Sequence, residues 1–220
     1  MGKLIVIEGL DGSGKATQSA LLQQAFEREG IASRKISFPN YASPSSALVR
    51  MYLGGKFGRR PDDVNAYAAS TFYAVDRFAG FKTDWGGFYE GGGVLIADRY
   101  TTSNAVHQCS KLPRTGWDAY LDWLFDFEYG KIGIPAPDAV LYLDVDPAVS
   151  QRLMSGRYGG REEKKDIHER DVVYLEKSRA AAVYCADRLG WCSIRCCRDG
   201  AMRPLDEIAA EVLAAARQAL

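Results

Sequence analysis

A glycine-rich turn that ends in a lysine carries the clearest chemical pattern near the start of the chain. It follows a short apolar run and precedes a helical pattern. Backbone N–H groups of such a turn, with the N-terminus of the next helix, can surround a polyphosphate, and the lysine supplies a mobile positive charge. The sequence therefore predicts a nucleotide-phosphate site formed by Gly9, Leu10, Asp11, Gly12, Ser13, Gly14, Lys15, Ala16 and Thr17.

Ala16 departs from the strict form of this motif, in which serine or threonine follows the lysine. That hydroxyl normally contacts magnesium, so the first protein ligand of the metal is missing from its usual place. Thr17 is the next hydroxyl along the chain. The sequence leaves open which group takes over.

Tyr73 and Arg77 could bind a nucleobase. They are four residues apart in a helical pattern and therefore share a helix face. A ring in that position can stack on a base while the guanidinium reaches the edge of the base. Taken alone, the pair fits a core aromatic residue beside a surface arginine better than it fits a base-binding site.

Asp98 and Arg99 end the third apolar run, at the edge where open α/β sheets bind ligands. An arginine there can hold a phosphate through two parallel hydrogen bonds. Asn104 and His107 share a face of the following helix and would point at the same group. These residues are candidates for the acceptor side of a phosphoryl transfer.

Short apolar runs alternate with longer helical patterns, which is typical of a parallel sheet covered by helices on both faces. The predicted strands are 4–8, 33–38, 94–98, 139–144 and 192–197. The predicted helices are 16–29, 45–53, 62–81, 167–189 and 204–220, with others from about 100 and about 116. A glycine- and charge-rich segment over 155–166 is expected to be mobile. The 220 residues contain no linker or repeat, so we expect one domain.

The composition excludes several classes of protein. Lysine plus arginine equals aspartate plus glutamate, at 28 each, which argues against a protein that coats nucleic acid. No apolar run reaches the roughly 18 residues of a membrane span, and the N-terminus lacks a secretory signal. The five cysteines have neither C-x-x-C nor zinc spacing. We therefore expect reduced core thiols and a cytoplasmic protein without nucleic-acid or membrane partners.

Together these segments resemble the thymidylate kinase family over nearly the whole chain. The resemblance is carried by Glu8–Lys15, Phe38-Pro39-Asn40-Tyr41, Tyr73 with Arg77, Asp98-Arg99-Tyr100, and Leu143–Pro147 with the arginine-bearing segment after it. It implies a three-layer α/β P-loop kinase fold, with a five-stranded parallel sheet flanked by helices and a mobile lid at about 154–168. It also implies a usually dimeric enzyme that makes dTDP from dTMP and ATP with magnesium.

The resemblance also implies roles for individual residues. Lys15 and the loop amides would bind the ATP phosphates, and Asp11 would lie between donor and acceptor, near the metal. Arg99 would hold the dTMP phosphate. The implied dTMP site is Asp11, Tyr41, Tyr73, Arg77, Arg99, Ser103, Asn104 and His107, in which Tyr73 stacks on thymine and Arg77 and Asn104 contact its polar edge. The implied catalytic residues are Asp11, Lys15, Arg99, Arg157 and Arg161, and the candidate magnesium ligands are Asp11, Asp98 and Thr17.

The chain departs from the family pattern at other positions besides Ala16. Tyr73 stands where phenylalanine is usual, so its hydroxyl needs a partner. His107 stands where some relatives place a tyrosine that crowds the ribose 2′ position, which leaves selection of deoxyribose open. Gly12 stands where some relatives carry a catalytic arginine. The positive charge is therefore expected from the lid, through Arg157 and Arg161.

Alternative functions remain open from the sequence. A P-loop kinase for another monophosphate or a nucleoside would share the phosphate loop and differ at the base-binding residues. A nucleotide-binding homologue without turnover could have lost its magnesium chemistry with Ala16. A regulatory GTPase fits poorly, because Asp84-Trp85-Gly86-Gly87 matches D-x-x-G but no guanine-reading N-K-x-D segment follows.

Overall fold

A five-stranded parallel sheet lies at the centre of the protein, in a computed structural model that describes residues 1–158 and 172–220. The strands are Lys3–Glu8 (β1), Ser33–Ser37 (β2), Val94–Asp98 (β3), Ala139–Asp144 (β4) and Cys192–Arg195 (β5). Their order is β2-β3-β1-β4-β5. The carboxyl end of β1, which leads into the glycine-rich turn, is therefore flanked by the carboxyl ends of β3 and β4.

Helices cover both faces of the sheet, which confirms the predicted α/β fold class. The α-helices are Lys15–Arg28 (α1), Ala47–Leu53 (α2), Ala66–Gly80 (α3), Gly86–Glu90 (α4), Thr101–Cys109 (α5), Trp117–Phe125 (α6), Pro147–Tyr158 (α7), Val172–Leu189 (α8) and Leu205–Arg217 (α9). Shorter 3₁₀ turns occupy Pro44–Ser46, Pro61–Asp63 and Arg114–Gly116, and π-helical segments occupy Phe81–Trp85 and Asp126–Ile132.

The packing of β1 explains why this strand appears in the sequence as an uninterrupted apolar run. Ile5 and Ile7 pack into one core cluster with residues of α1 and α9. Leu4 and Val6 point to the opposite face and pack with Trp85 and other aromatic residues. All four side chains are fully buried, and each contributes roughly 1.5–3 kcal/mol of hydrophobic stabilisation. Burial on both faces removes the polar alternation of a half-exposed strand.

The helix predicted over 62–81 begins later than expected. Asn65 Oδ1 accepts a hydrogen bond from the Ala68 N–H at 2.8 Å, so Asn65 caps α3. The Pro61–Asp63 segment forms a separate turn, in which Asp63 Oδ2 accepts from the Arg60 N–H at 3.0 Å. The proline-aspartate pair resembles a helix start, but it begins this separate turn.

The strand predicted over 192–197 is also wrong at its end. β5 stops at Arg195, and a small hairpin follows, formed by Cys197–Arg198 (β6) and Ala201–Met202 (β7). Asp199 and Gly200 form its turn with φ angles of 52° and 72°. Asp-Gly is a strong hairpin signal that the sequence prediction missed.

The predicted lid falls mainly outside the described residues. Helix α7 extends to Tyr158, and residues 159–171 are not described.

Within the described ranges, none of the helices has both the length and the apolarity to cross a bilayer. All five cysteines are free thiols. Cys109, Cys185 and Cys196 are buried as expected, whereas Cys192 is exposed and Cys197 is half-buried.

Candidate active site

The glycine-rich turn between β1 and α1 has a backbone that favours glycine at two points. A Cβ at Gly9 would lie 2.5 Å from Ser13 Oγ and 3.0 Å from the Leu143 carbonyl oxygen. Gly14 has a left-handed φ of 87° and directly precedes α1. These glycines let the loop fold tightly over the first turn of the helix, with its N–H groups available to an anion.

Lys15 lies over this loop, where its Nζ donates to the Leu10 carbonyl oxygen at 2.8 Å. Burial and, second to it, the Arg99 charge lower the pKa of Lys15 to about 8, against the opposing attraction of Asp11 and Asp98. Arriving phosphates would favour the charged amine. Lys15 is thus placed as a cation that a polyphosphate would hold in its protonated form.

Ala16 and Thr17 are both exposed in the first turn of α1. The Asp98 carboxylate is buried at the end of β3 and makes no side-chain hydrogen bond or ion pair among the described residues. Nor does any group of three histidine, cysteine or acidic residues in that part of the chain form a closed metal cage. Mg²⁺ is usually held by one or two carboxylates together with phosphates and water, so the donor set of Asp98 and Asp11 fits this ion.

Arg99 joins the phosphate loop to the acceptor side. Its backbone has a φ of 69°, a left-handed conformation that costs a non-glycine residue on the order of 1–3 kcal/mol. The guanidinium forms an ion pair with Asp11 through Nη2. Its Nη1 lies 3.4 Å from Ser103 Oγ and 3.3 Å from His107 Nε2. The guanidinium therefore lies between Asp11 of the glycine-rich turn and Ser103 and His107 of α5.

Glu8 supports this arrangement, although the sequence analysis gave it no role. Its carboxylate is fully buried and accepts from the Gly9 N–H at 2.9 Å, Thr102 Oγ1 at 2.7 Å and Ser103 Oγ at 2.8 Å. Arg99 Nη1 lies 3.7 Å from the same carboxylate. Burial disfavours the charged form of Arg99, but Asp11 and Glu8 raise its pKa above the ordinary value.

A second buried ion pair joins Arg77 of α3 to Glu128. Arg77 Nε donates to Glu128 Oε2 at 2.7 Å, and its Nη2 binds Glu128 Oε1. Asn104 Nδ2 donates to the same carboxylate at 3.1 Å, and Thr101 Oγ1 donates to it at 2.8 Å. Arg77 therefore has a fixed carboxylate partner, which the sequence analysis did not foresee.

His107 and Tyr174 lie together beside Arg99. Their rings stack with centroids 6.0 Å apart and an interplanar angle of 17°, and the Tyr174 hydroxyl donates to the His107 carbonyl oxygen at 2.9 Å. Burial lowers the pKa of His107 to about 3, and the Arg99 charge contributes to this shift. His107 is consequently neutral at physiological pH.

A single cleft collects the acceptor-side residues. Its empty volume is about 530 Å³, part of it open to solvent. All eight residues predicted for the dTMP site line it: Asp11, Tyr41, Tyr73, Arg77, Arg99, Ser103, Asn104 and His107. It is also lined by residues without a predicted role: Phe38, Pro39, Leu53, Tyr100 and Gln108. Tyr41 is 56% exposed at the mouth, whereas Arg77 is buried at the base.

Helix α7 contacts the phosphate loop at its start. Ser150 Oγ donates to the Asp11 carbonyl oxygen. Arg157 belongs to the last turn of this helix. The side chain of Arg157 and the whole of Arg161 lie outside the part of the chain that the structure describes, so their predicted catalytic role stays a prediction.

Comparisons with known proteins identify the family and support the fold. The family model described as thymidylate kinase matches residues 7–197. The thymidylate kinase of Mycobacterium tuberculosis is 34% identical over 187 residues, covering 82% of this chain and 83% of that protein. The thymidylate kinase of Caenorhabditis elegans is 31% identical over 158 residues, covering 68% and 66%. The solved structure of the Candida albicans thymidylate kinase shares the fold, with a TM-score of 0.71 at 19% identity, covering 99% of this chain and 92% of that one.

Proposed function

The chain belongs to the thymidylate kinase family, and we propose that it transfers the γ-phosphate of ATP to dTMP with magnesium, giving dTDP. One observation carries this proposal. Arg99 lies between the phosphate loop, through Asp11, and the cleft that ends at Arg77 and Asn104. A monophosphate with its base at the buried end would present its phosphate to Arg99, facing the donor loop.

On the donor side, the loop amides and Lys15 would bind the β- and γ-phosphates of ATP. The transfer requires little covalent help from the protein, because in-line positioning and positive charge at the equatorial oxygens provide most of the acceleration. Lys15 and Arg99 would supply that charge from opposite sides. Magnesium would add charge between the phosphates, with Asp98 and Asp11 as its protein ligands and Thr17 as a further candidate.

On the acceptor side, Arg99 would hold the dTMP phosphate and exchange part of its contact with Asp11 for phosphate oxygens. Tyr73 would stack on thymine from α3. Arg77 and Asn104 would contact the polar edge of the base, as expected from the sequence. Ser103, His107 and Tyr41 would line the sugar and the mouth of the cleft.

The lid would supply the remaining positive charge. Gly12 leaves the phosphate loop without an arginine, and Arg157 belongs to the last turn of α7, the helix that contacts Asp11 through Ser150. We expect Arg157→Ala and Arg161→Ala to lower kcat on the order of 10³-fold while dTMP binding persists. Single-turnover kinetics combined with dTMP calorimetry measures both quantities. Wild-type turnover in both variants would refute the lid assignment.

The deciding experiment is ADP release from ATP and magnesium with dTMP, dUMP, dCMP, dGMP, AMP and UMP at equal concentrations. Clear preference for dTMP supports the proposed function. Preference for another monophosphate would support a kinase activity but would reject dTMP as the acceptor. Silence with all six despite ATP binding favours a non-catalytic homologue, for which the exposed methyl group of Ala16 is the specific structural argument.

The active form is proposed to be a homodimer in the cytoplasm. Tyr67, Val75 and Phe78 lie on one outer face of α3 with 42%, 49% and 39% exposure. Leu48 and Met51 on the adjacent α2 are exposed to similar degrees. A second copy of the chain would cover this apolar stripe through a self-complementary contact. The free thiols fit a reducing compartment.

A further inference from the structure

Asp76 is a carboxylate of α3 that is only 1% exposed. Its Oδ2 accepts a hydrogen bond from the Asn40 backbone N–H at 2.7 Å, and its Oδ1 accepts one from the Ser45 hydroxyl at 2.6 Å. Both donors belong to residues 38–46, the mouth segment, which follows directly after β2. One buried side chain of α3 therefore holds the mouth segment at two separate points.

The mouth segment forms part of the wall of the cleft. Phe38, Pro39 and Tyr41 all line it. Phe38 is buried and packs against the Tyr100 ring, with centroids 5.9 Å apart, whereas Tyr41 is exposed. Burial opposes the charge on Arg99, and Tyr41 is one of the neighbours that nevertheless raise its pKa. Tyr41 and Arg99 therefore lie near each other, and the place of Tyr41 depends on the course of its backbone.

The backbone around Tyr41 has further partners, but these bind its carbonyl groups. Arg50 of α2 donates through Nη1 to the Tyr41 carbonyl oxygen at 3.0 Å. Ser46 Oγ donates to the Asn40 carbonyl oxygen at 2.7 Å. The Asn40 N–H can only donate, and its acceptor is the Asp76 carboxylate. Asp76 is thus the residue that ties the backbone of the mouth segment to α3.

On the basis of the proposed function, we propose that Asp76 is a positioning residue for the acceptor, which fixes the backbone at Asn40 and so holds Tyr41 beside Arg99 before the monophosphate binds. Holding the mouth segment in advance removes the entropic cost of ordering it during binding. The role depends on hydrogen bonding rather than on negative charge, because the groups that Asp76 binds are an amide N–H and a hydroxyl.

The test is Asp76→Ala, read by calorimetry of dTMP without ATP, so that it does not depend on turnover. Alanine removes the acceptor of the Asn40 N–H and of the Ser45 hydroxyl, so the ligand itself must order the mouth segment. We expect dTMP affinity to fall by about 5- to 30-fold, the effect of ordering one or two side chains with their backbone. ATP affinity should stay unchanged, because both contacts of Asp76 are on the acceptor side.

Asp76→Asn is the conservative variant. Asparagine has nearly the shape of aspartate, and its Oδ1 can accept from the Asn40 N–H while its NH₂ group donates to Ser45 Oγ, since a hydroxyl can accept as well as donate. We expect this variant to recover most of the dTMP affinity that Asp76→Ala loses. A loss as large as that of Asp76→Ala would overturn the inference.

A double-mutant cycle tests whether Asp76 acts through Tyr41. Tyr41→Ala removes the side chain that is being positioned, so Asp76→Ala should weaken dTMP binding much less in that background than in the wild type. Additive losses would contradict the proposal. If Asp76→Ala fails to fold, Ser45→Ala takes its place in the cycle, with a smaller loss in the same direction, and unchanged dTMP affinity in this variant would reject the role.

Asn65→Ala controls for general destabilisation of α3. Asn65 caps this helix through the Ala68 N–H, so its removal should lower the free energy of unfolding and leave dTMP affinity unchanged. A loss of dTMP affinity equal to that of Asp76→Ala would show that Asp76 is merely structural.

The outcome is separable from that of the proposed function. Protein that binds dTMP, loses affinity in Asp76→Ala, regains it in Asp76→Asn and shows no transfer from ATP would support the inference and reject the proposed reaction. Protein that phosphorylates dTMP, with equal dTMP affinity in the wild type and in Asp76→Ala, would support the proposed function and overturn the inference.

Discussion

We expect acceptor binding to depend most directly on Arg99. Its guanidinium already contacts Asp11, Ser103 and His107, so it is held in place before a phosphate arrives. We expect Arg99→Ala to weaken dTMP binding by about 10- to 100-fold, since hydrogen bonds to charged groups are each worth about 1.5–3 kcal/mol. Calorimetry with dTMP measures the loss. Thymidine, which lacks the phosphate, is the control ligand and should bind both proteins alike; unchanged dTMP affinity would contradict the assignment.

The buried His107 is expected to lower the free energy of unfolding in acid. Its ordinary pKa is 6.5 and its folded pKa is about 3 because of burial and the Arg99 charge, with Lys15 and Lys111 acting in the same direction and Asp11 against them. Between these values the unfolded chain binds a proton that the folded protein excludes. Stability therefore falls as pH drops below about 6.5, at up to ~1.4 kcal/mol per pH unit from this residue.

Urea unfolding at pH 7.5, 6.0 and 5.0 checks this prediction. His107→Gln keeps a polar side chain of similar length but cannot titrate, so its stability should decline less steeply with acid than that of the wild type. Parallel declines for the two proteins would show that other groups control the acid response.

Among the residues of the site, the arginines could be predicted from the sequence, whereas the buried carboxylates that bind them could not. Arg99 was predictable because it follows a buried strand at the ligand-binding edge of a parallel sheet. Glu128 was not, because it lies 51 positions from Arg77 in a π-helical turn without a motif. Its role depends on a tertiary contact that periodicity cannot reveal. Glu8 stood inside a recognised motif, but its partners on α5 became visible only in the fold.

The first turn of α1 is the element in which the chain departs from its motif. Ala16 and Thr17 are both exposed there, so a larger side chain at position 16 meets little steric resistance. We expect Ala16→Thr to lower the magnesium concentration that gives half-maximal turnover by several-fold, because it restores the hydroxyl ligand of the motif.

Ala16→Val is the matched control for this change, since it has the shape of threonine without the hydroxyl. It should keep the wild-type magnesium requirement. Titration of ADP production with Mg²⁺ at saturating ATP and dTMP compares the three proteins. Identical curves for Ala16→Thr and Ala16→Val would mean that the carboxylates already complete the site.

Element boundaries were less predictable than element types. The strands 94–98 and 139–144 agree with the structure because buried apolar runs end sharply at polar residues. The start of α3 was missed because Pro61-Asp62 and Asn65 are both plausible starts, and only the hydrogen bond from Ala68 selects Asn65. The sheet order depends on which distant strands pair, information that no single segment carries.

For the whole molecule, the exposed stripe on α3 makes oligomeric state the property to measure. Val75→Asp combined with Phe78→Asp places two charges on the face proposed for a second copy, where burial without partners is unfavourable. We expect the variant to be monomeric by light scattering coupled to gel filtration. Val183→Asp is the control, because Val183 is similarly exposed, at 46%, and belongs to a different helix, α8. A wild-type monomer, or a dimer that survives the double substitution, would reject this interface.

Asp11 has two partners on different elements. Its carboxylate forms an ion pair with Arg99, and its carbonyl oxygen accepts a hydrogen bond from Ser150 of α7. The residue proposed to lie beside the acceptor phosphate is therefore also hydrogen-bonded to α7, the helix from which the proposed lid would extend. If occupation of one side shifts Asp11, it alters the binding free energy of the other, and thermodynamic linkage requires the effect to be mutual. ATP and dTMP would then change each other's affinity by the same factor, and that coupling would depend on the position of Asp11.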